Sequence, residues 1–215
     1  MRLYDFLPSG NGYRVRLLLR WLGIPFEYSE VDILKGESRT ASFLAKNPFG
    51  QIPLLELDDG TCLRESTAIM LHLAEGTPLL PADKMMRTRV LEWMCFEQTH
   101  VDGVISRARF RRLYPHAIPT REEEFVAWHA EGYEALAMLD EHLRKRTFLV
   151  GDRFTVADIA LYAYTHCASE GGFDLVAYSS VAAWLGRVRA ERGHVPIDWV
   201  PSESDVLRPA SASKP

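Results

Sequence analysis

Two short groups of polar residues in the first third of the chain could bind charged groups of a ligand. In the first group, Ser9 and Asn11 alternate with Gly10 and Gly12 and directly precede a helical pattern. A hydroxyl, a side-chain amide and unobstructed backbone N–H groups at the start of a helix can together stabilise an anion such as a thiolate. Ser9 is therefore the first candidate for an anion-stabilising donor, and Asn11 is the second.

The second group is Glu65 and Ser66, which open another helical pattern with Ile69 and Leu73 stacked one turn apart. Ser66 is predicted to be the N-cap of this helix, where its hydroxyl and the neighbouring N–H groups can hold a carboxylate. Glu65 supplies a negative partner for an ammonium group. The pair could therefore bind a ligand that carries both a positive and a negative group.

Short strand-like runs alternate with helical runs in the first third of the chain. Val15, Leu18 and Leu19 begin an apolar stripe with the spacing of an amphipathic helix. The predicted order over residues 1–75 is β-α-β-α-β-β-α. The strands are predicted at 1–6, 26–31, 52–57 and 61–64, and the helices around 15–22, at 40–46 and from Ser66 onward.

A segment rich in glycine and proline at 76–82 breaks this alternation and is predicted to be a linker. Only helical patterns follow, over 83–200, before a tail rich in Ser, Pro and Ala at 201–215. The predicted fold class is therefore an α/β domain followed by an all-α domain. The most complete helix signal pairs Thr155 with Asp158, which have the spacing of a capping box.

Composition and charge exclude several classes of function. The 215 residues are 47% hydrophobic and carry a formal net charge of -4, so no general attraction to nucleic acid or anionic membranes is expected. No apolar run approaches the roughly 18 residues that a membrane span needs. The three cysteines and seven histidines show no metal-ligand spacing, and no metal is expected. Scattered cysteines also favour a reducing, cytoplasmic location.

Four segments, spread over most of the chain, resemble the cytosolic glutathione S-transferases, in particular bacterial theta-like and nu-like members. They are PSGNGYR at 8–14, NPFGQIP at 47–53, RESTAI at 64–69, and the run from 151 to 158. The resemblance implies a thioredoxin-like domain over 1–75 that binds glutathione as co-substrate. It also implies a helical domain over 83–200 that forms the electrophile site, and a homodimer.

The resemblance assigns a role to each candidate residue. It implies a cis peptide bond between Ile52 and Pro53, with the backbone beside that bond offered to the ligand. Arg39, with Lys35 nearby, would contact the glycyl carboxylate of glutathione. The implied glutathione-binding residues are Arg39, Gln51, Ile52, Pro53, Glu65 and Ser66, and the implied donors to the thiolate are Ser9 and Asn11, with Tyr4 a poorer candidate.

The second substrate is expected between the two halves, where the family builds its electrophile site. The implied residues there are Arg107, Phe110, Arg111 and Tyr114. They belong to a stretch that also contains Arg109 and Arg112. Such a basic stretch is read either as a solvated or dimer-facing surface or as a site for an acidic or glutathionylated substrate.

The spacing around Ser9 leaves the reaction type open. In the theta and delta pattern the active serine lies four residues before the arginine, which would place it at Gly10, whereas Ser9 lies five residues before Arg14. The segment from Ser9 to Gly12 instead resembles the nu-class arrangement, in which a hydroxyl residue and one spacer precede asparagine and glycine. That class is associated with glutathione-dependent disulfide reduction. With no cysteine near Ser9, the nucleophile must be the thiolate of glutathione itself. A non-catalytic binding or scaffold protein is the third alternative.

Overall fold

The computed structural model describes residues 1–201, and residues 202–215, which make up most of the predicted tail, lie outside the described residues. The chain divides into two compact units. The first is Met1–Glu75 together with the described residues from Glu191 onward, and the second is Gly76–Ala190. The predicted helical domain runs to residue 200, whereas the structure groups residues from Glu191 with the first unit.

The first unit contains one four-stranded sheet in the order β2-β1-β3-β4. Its strands are β1 (Arg2–Asp5), β2 (Glu27–Glu30), β3 (Leu54–Glu56) and β4 (Cys62–Leu63). Strand β1 is parallel to β2 and antiparallel to β3, and β3 pairs with β4 in an antiparallel hairpin. The predicted strands are all present, each shorter than its predicted run.

Three helices complete the first unit: α1 (Gly10–Leu22), α2 (Ala41–Lys46) and α3 (Ser66–Ala74). Short 3-10 turns at Ile33–Lys35 and Glu37–Arg39 precede α2. The predicted apolar stripe of α1 is buried, and α1 packs against α3. Helix α1 ends at Gly23, which has the left-handed φ of 67° that glycine adopts without steric cost. The predicted β-α-β-α-β-β-α order is confirmed.

A fully buried ion pair joins the first strand to the first helix. Arg16 Nε donates to Asp5 Oδ2 at 2.9 Å, and neither side chain is exposed. Arg16 also donates to the Leu7 carbonyl at 2.6 Å and to the carbonyls of Ile197 and Trp199, each at 2.8 Å. These bonds attach the segment after Glu191 to the first unit.

Burial raises the pKa of Asp5 to about 7, although Arg16 and the Phe6 N–H both favour the charged carboxylate. The same carboxylate explains Gly12. A Cβ atom at Gly12 would lie 1.5 Å from Asp5 Oδ1, so only glycine fits at this position.

The regular elements described in the second unit are helices, apart from one β-bridge between Val150 and Arg153. A continuous helical stretch begins with α4 (Lys84–Phe96), widens into a π-helical segment (Glu97–Ser106) and continues as α5 (Arg107–Leu113). The remaining elements are α6 (Glu122–Leu143), α7 (Val156–Thr165), a 3-10 turn (Ala168–Gly171) and α8 (Ser179–Ala190). None of the helices that the structure describes is long and apolar enough to cross a membrane.

Asp158 is the polar centre of the second unit. Its buried carboxylate accepts four hydrogen bonds, from Thr155 N and Oγ1, Leu149 N and Trp184 Nε1, at 2.9–3.0 Å. The bond to Thr155 N is the reciprocal bond of the predicted capping box. Burial raises the pKa of Asp158 to about 6, and the four donors oppose that shift. One side chain therefore joins the start of α7 to α8 and to the preceding loop.

Replacing Asp158 with alanine is expected to lower the free energy of unfolding by about 3 kcal/mol or more, because it leaves several buried donors without an acceptor. Chemical denaturation followed by circular dichroism measures this loss. Asp152→Ala is the matched control, since Asp152 is an exposed aspartate in the same loop and should change stability by about 0.5 kcal/mol at most. Equal effects of the two changes would contradict the central role of Asp158.

Candidate functional site

Ser9 lies where β1 ends and α1 begins. It is the N-cap of α1, with extended φ and ψ of -72° and 126°, and its Oγ accepts from Gly12 N at 3.3 Å. Its own N–H donates to the Phe6 carbonyl at 2.7 Å. Among the described residues no acceptor is found for the hydroxyl proton of Ser9. A half-buried hydroxyl at a helix N-terminus can therefore still donate to an anion.

The structure brings the two predicted polar groups together. Because α3 packs against α1, Ser66 Oγ donates to Asn11 Oδ1 at 3.2 Å. Ser66 is the first helical residue of α3, and the N-cap is Glu65, so the predicted cap position of Ser66 was wrong by one residue. At the first helical position the Ser66 hydroxyl still lies beside the unpaired N–H groups of the first turn.

Glu65 has an unusual backbone conformation, with φ of 64° and ψ of 112°. It is the one residue other than glycine with positive φ among the described residues. Such a conformation costs roughly 1–3 kcal/mol and persists where the surrounding structure requires it. The turn starts α3 at Ser66 and leaves the Glu65 side chain exposed beside that helix N-terminus.

The peptide bond between Ile52 and Pro53 is cis, as the resemblance implies. Pro53 immediately precedes β3, whose first residue, Leu54, is paired with Tyr4 near the end of β1. The antiparallel register therefore places the cis bond at the same end of the sheet as the loop that leads to Ser9.

Asn47 positions this loop, a role that the sequence analysis did not give it. Its side chain is 2% exposed; Nδ2 donates to the Gln51 carbonyl at 2.7 Å, and Oδ1 accepts from Phe49 N at 3.1 Å. These bonds fix the backbone just before the cis bond at Ile52. The signal available in the sequence was the Asn-Pro pair, since asparagine often bonds to the backbone two residues on.

Arg39 lies against the same loop, whereas Lys35 does not. Arg39 Nη1 donates to the Phe49 carbonyl at 3.2 Å and would be 2.5 Å from a Cβ atom at Gly50. Its exposed guanidinium thus contacts the loop two residues before Gln51. Lys35 instead forms an ion pair with Asp32 at 2.9 Å and is 76% exposed.

Tyr4 is also engaged elsewhere. Its hydroxyl donates to Glu56 Oε2 at 2.7 Å, and Lys46 Nζ donates to the other carboxylate oxygen of Glu56. Hydrogen bonds from both groups hold the pKa of Glu56 below its usual range. Tyr4 thus belongs to a polar cluster on the sheet, while Ser9 lies in the loop beyond β1.

The predicted second-substrate residues lie on α5 and at its end. Arg107, Phe110, Arg111 and Tyr114 follow the helical spacing of one face, and the rings of Phe110 and Tyr114 are 5.1 Å apart. The basic stretch is not one surface, however. Arg109 turns inward, 6% exposed, and pairs with Glu170 at 2.8 Å. The helix therefore divides the arginines between structural and accessible positions.

No cluster of three or more His, Cys, Asp or Glu side chains that could hold a metal ion occurs within residues 1–201. The polar groups near Ser9 and Ser66 are hydroxyls, an amide, a carboxylate and helix N–H groups. Their chemistry suits a zwitterionic organic ligand with an anionic centre.

A small mixed sheet with a cis-proline loop, followed by an all-helical unit, defines a two-domain protein with a thioredoxin-like first domain. Two family models match the chain: the glutathione S-transferase N-terminal domain over residues 8–75 and the glutathione S-transferase C-terminal domain over residues 98–191. The chain belongs to the cytosolic glutathione S-transferase family, and its enzyme class is that of the glutathione transferases.

Individual relatives are consistent with this assignment. A crystal structure of glutathione S-transferase from Pseudomonas fluorescens [Pf-5] is 48% identical, with a TM-score of 0.88, and the match covers 91% of this chain and 98% of that one. Glutathione S-transferase theta-3 of Mus musculus is 32% identical over 202 residues, 90% of this chain and 83% of that protein. Disulfide-bond oxidoreductase YfcG of Escherichia coli (strain K12) is 28% identical over 193 residues, 86% of this chain and 88% of that protein.

Because Glu65 has a positive φ, its replacement by glycine is expected to maintain or raise stability while weakening ligand binding. Glu65→Gly should melt at or above the wild-type temperature, because relief of about 1–3 kcal/mol of strain outweighs the flexibility that glycine adds to the unfolded chain. Glutathione should no longer raise its melting temperature, since the negative partner is lost. Glu65→Gln is the matched control, which keeps both the conformation and a side-chain oxygen. A glycine variant less stable than the glutamine variant would contradict strain at this position.

Proposed function

We propose that the protein binds glutathione in its first unit, stabilises the thiol as a thiolate, and transfers it to a small electrophile. Ser9 is the main donor to the sulfur anion, and Asn11 is the second. The observation that carries the proposal is the Asn11–Ser66 contact at 3.2 Å, which links the predicted thiolate loop to the predicted binding helix. One extended tripeptide can then reach both groups.

The first unit supplies a complementary group for each part of glutathione. Glu65 pairs with the α-ammonium of the γ-glutamyl residue, and Ser66 with the N–H groups of α3 holds its carboxylate. The backbone of Ile52, beside cis Pro53, bonds to the central cysteinyl residue. Arg39, which donates to the Phe49 carbonyl of the same loop, binds the glycyl carboxylate, and Gln51 of that loop also contacts the tripeptide.

The energy required of the thiolate donors is modest. A free cysteine thiol has a pKa of about 8.5, so lowering it by about 2 units needs roughly 2.7 kcal/mol of preferential stabilisation of the anion. One hydrogen bond to a charged group contributes about 1.5–3 kcal/mol. The Ser9 hydroxyl and the N-terminus of α1 are therefore sufficient donors.

In the reaction, the sulfur anion attacks an electrophilic carbon. A C–S bond forms while the leaving group departs with the electron pair of its bond to that carbon, and the thiol proton has already passed to solvent. We place the electrophile near Arg107, Phe110, Arg111 and Tyr114. No covalent bond to the protein is formed.

The pH dependence of bound glutathione tests the role of Ser9. The ultraviolet absorbance of the thiolate should rise with a midpoint well below pH 8.5 in the wild type and shift by about 1–2 units toward that value in Ser9→Ala. Asn11→Ala should shift it less. Ser66→Ala should weaken binding of glutathione and leave the midpoint of the bound thiol unchanged. A larger shift in Asn11→Ala than in Ser9→Ala would reverse the ranking of the two donors.

Disulfide reduction is the second candidate reaction. It is favoured by the Ser9-x-Asn11-Gly12 pattern and by the similarity to YfcG. In this reaction the glutathione thiolate attacks one sulfur of a disulfide, a new S–S bond forms, and the other sulfur leaves as a thiolate. Screening the same preparation with chlorodinitrobenzene and with hydroxyethyl disulfide decides between the two, because only the first yields a thioether.

We further propose a cytoplasmic homodimer that acts in detoxification. Large apolar side chains on the surface, Phe49 at 55% exposed and Met85 at 61%, support pairing, because association would remove them from water. Sedimentation equilibrium should give twice the 24.4 kDa chain mass. A monomer at micromolar concentration would contradict the dimer without affecting the assignment of the glutathione-binding residues.

A further inference from the structure

The second unit contains a cavity of about 280 Å³ with a basic lining. It lies between the end of α5, the loop that follows, and the start of α6. Its lining residues are Arg111, Arg112, Pro115, Thr120, Glu122 and Phe125. The volume is close to the lower end of the range for small-molecule sites, so it suits one substituted ring better than a peptide.

Arg111 has an unsatisfied donor at this cavity. Its Nη1 atom is buried and has no hydrogen-bond partner among the described residues. The guanidinium lies 5.9 Å from the ring centroid of Phe110, so an aromatic ring positions it rather than a carboxylate. A guanidinium N–H without an acceptor is unfavourable, so rotation of the Arg111 side chain toward an anionic ligand in the cavity would be favourable.

The two neighbouring charges leave the cavity positive. Arg112 lies 5.4 Å from the ring centroid of Phe125, and Glu122 is the single carboxylate in the lining. No ion pair within residues 1–201 includes Arg111, Arg112 or Glu122, whereas the adjacent Arg121 pairs with Glu124 at 3.8 Å. The described lining therefore contains two guanidinium groups and one carboxylate.

Arg109, two residues before Arg111, is an example of an arginine with a structural role in this helix. It is 6% exposed and its Nε donates to Glu170 at 2.8 Å. Within residues 1–201, Arg111 has no such acceptor. The difference indicates that Arg109 stabilises the fold and that Arg111 is available to a ligand.

We propose that this cavity binds a carboxylate of the second substrate, so that the enzyme prefers aromatic electrophiles that carry a negative charge. The Arg111 guanidinium turns toward the carboxylate and donates to it, Arg112 adds a second positive charge, and Phe125 and Pro115 contact the ring. The inference rests on the proposed function, because it names the substrate class of the site to which Arg111 was assigned. The carboxylate is bound and takes no part in the bond changes at the reacting carbon.

A matched pair of substrates tests the proposal: a chlorodinitrobenzoate and the corresponding chlorodinitrobenzamide, in which an uncharged amide of similar size replaces the carboxylate. With each, glutathione sulfur forms the C–S bond, and chloride leaves with the electrons of the C–Cl bond. Arg111→Met should raise KM for the benzoate by about 10- to 100-fold, the loss expected for a hydrogen bond between charged groups. KM for the benzamide and for glutathione should stay unchanged. Comparing variant with wild type on each substrate removes the difference in their intrinsic reactivity.

Three further variants make the test specific. Arg111→Lys keeps the charge and should restore part of the benzoate preference. Arg144→Met is the control, since Arg144 is an exposed arginine paired with Glu141 and does not line the cavity. If Arg111→Met fails to fold, the exposed Arg112→Met carries the same test and should raise KM for the benzoate alone. Equal effects on the two substrates, or no effect on either, would overturn the proposal.

Equilibrium binding separates this proposal from the transferase reaction. If the wild type conjugates neither of the two chlorinated substrates, equilibrium dialysis with unreactive dinitrobenzoate and dinitrobenzamide still measures binding to the cavity. Preferential binding of the benzoate that Arg111→Met abolishes would support the carboxylate site while contradicting the transferase reaction. Equal binding of the two compounds, or none, would refute the carboxylate site whatever the outcome for glutathione.

Discussion

The buried ion pair between Asp5 and Arg16 is the constraint on which the proposed glutathione-binding end of the first unit depends. Asp5 accepts from Phe6 N at 2.7 Å, and Arg16 donates to the Leu7 carbonyl. These bonds fix the backbone at the start of the loop that leads to Ser9. Gly12 is glycine because the same carboxylate occupies the space of its Cβ atom. A buried pair contributes little net stability, since desolvation offsets the attraction. Its contribution is geometric: it holds Ser9 at the start of α1.

Local signals were sufficient to predict the elements but not their long-range bonds. The order β-α-β-α-β-β-α and the capping bond between Asp158 and Thr155 both follow from local patterns of residues near in sequence. The bonds from Arg16 to Ile197 and Trp199 join residues more than 180 positions apart. No periodicity encodes such pairs, which is why the segment after Glu191 was assigned to the other domain.

The site residues show the same division. Ser9 and Ser66 were recognisable from type and position, but their connection through Asn11 depends on the packing of α1 against α3. The cap of α3 was misplaced because Glu65 adopts a positive φ that sequence propensities disfavour. The basic stretch of α5 is a different case. Helical spacing alone separates Arg109 from Arg111, and this periodicity could have predicted one inward and one outward arginine.

Satisfaction of polar groups distinguishes the structural positions from the ligand-binding ones. Asp158 and Arg109 are buried with acceptors and donors matched, so their interactions stabilise the fold whether or not a ligand is present. Glu65 keeps a strained backbone, and Arg111 keeps a buried donor without a described partner. Natural sequences retain such local costs where function requires them. The same reasoning therefore supports both the proposed role of Glu65 in binding glutathione and the proposed role of Arg111 in binding the second substrate, and the two positions lie in different units of the chain.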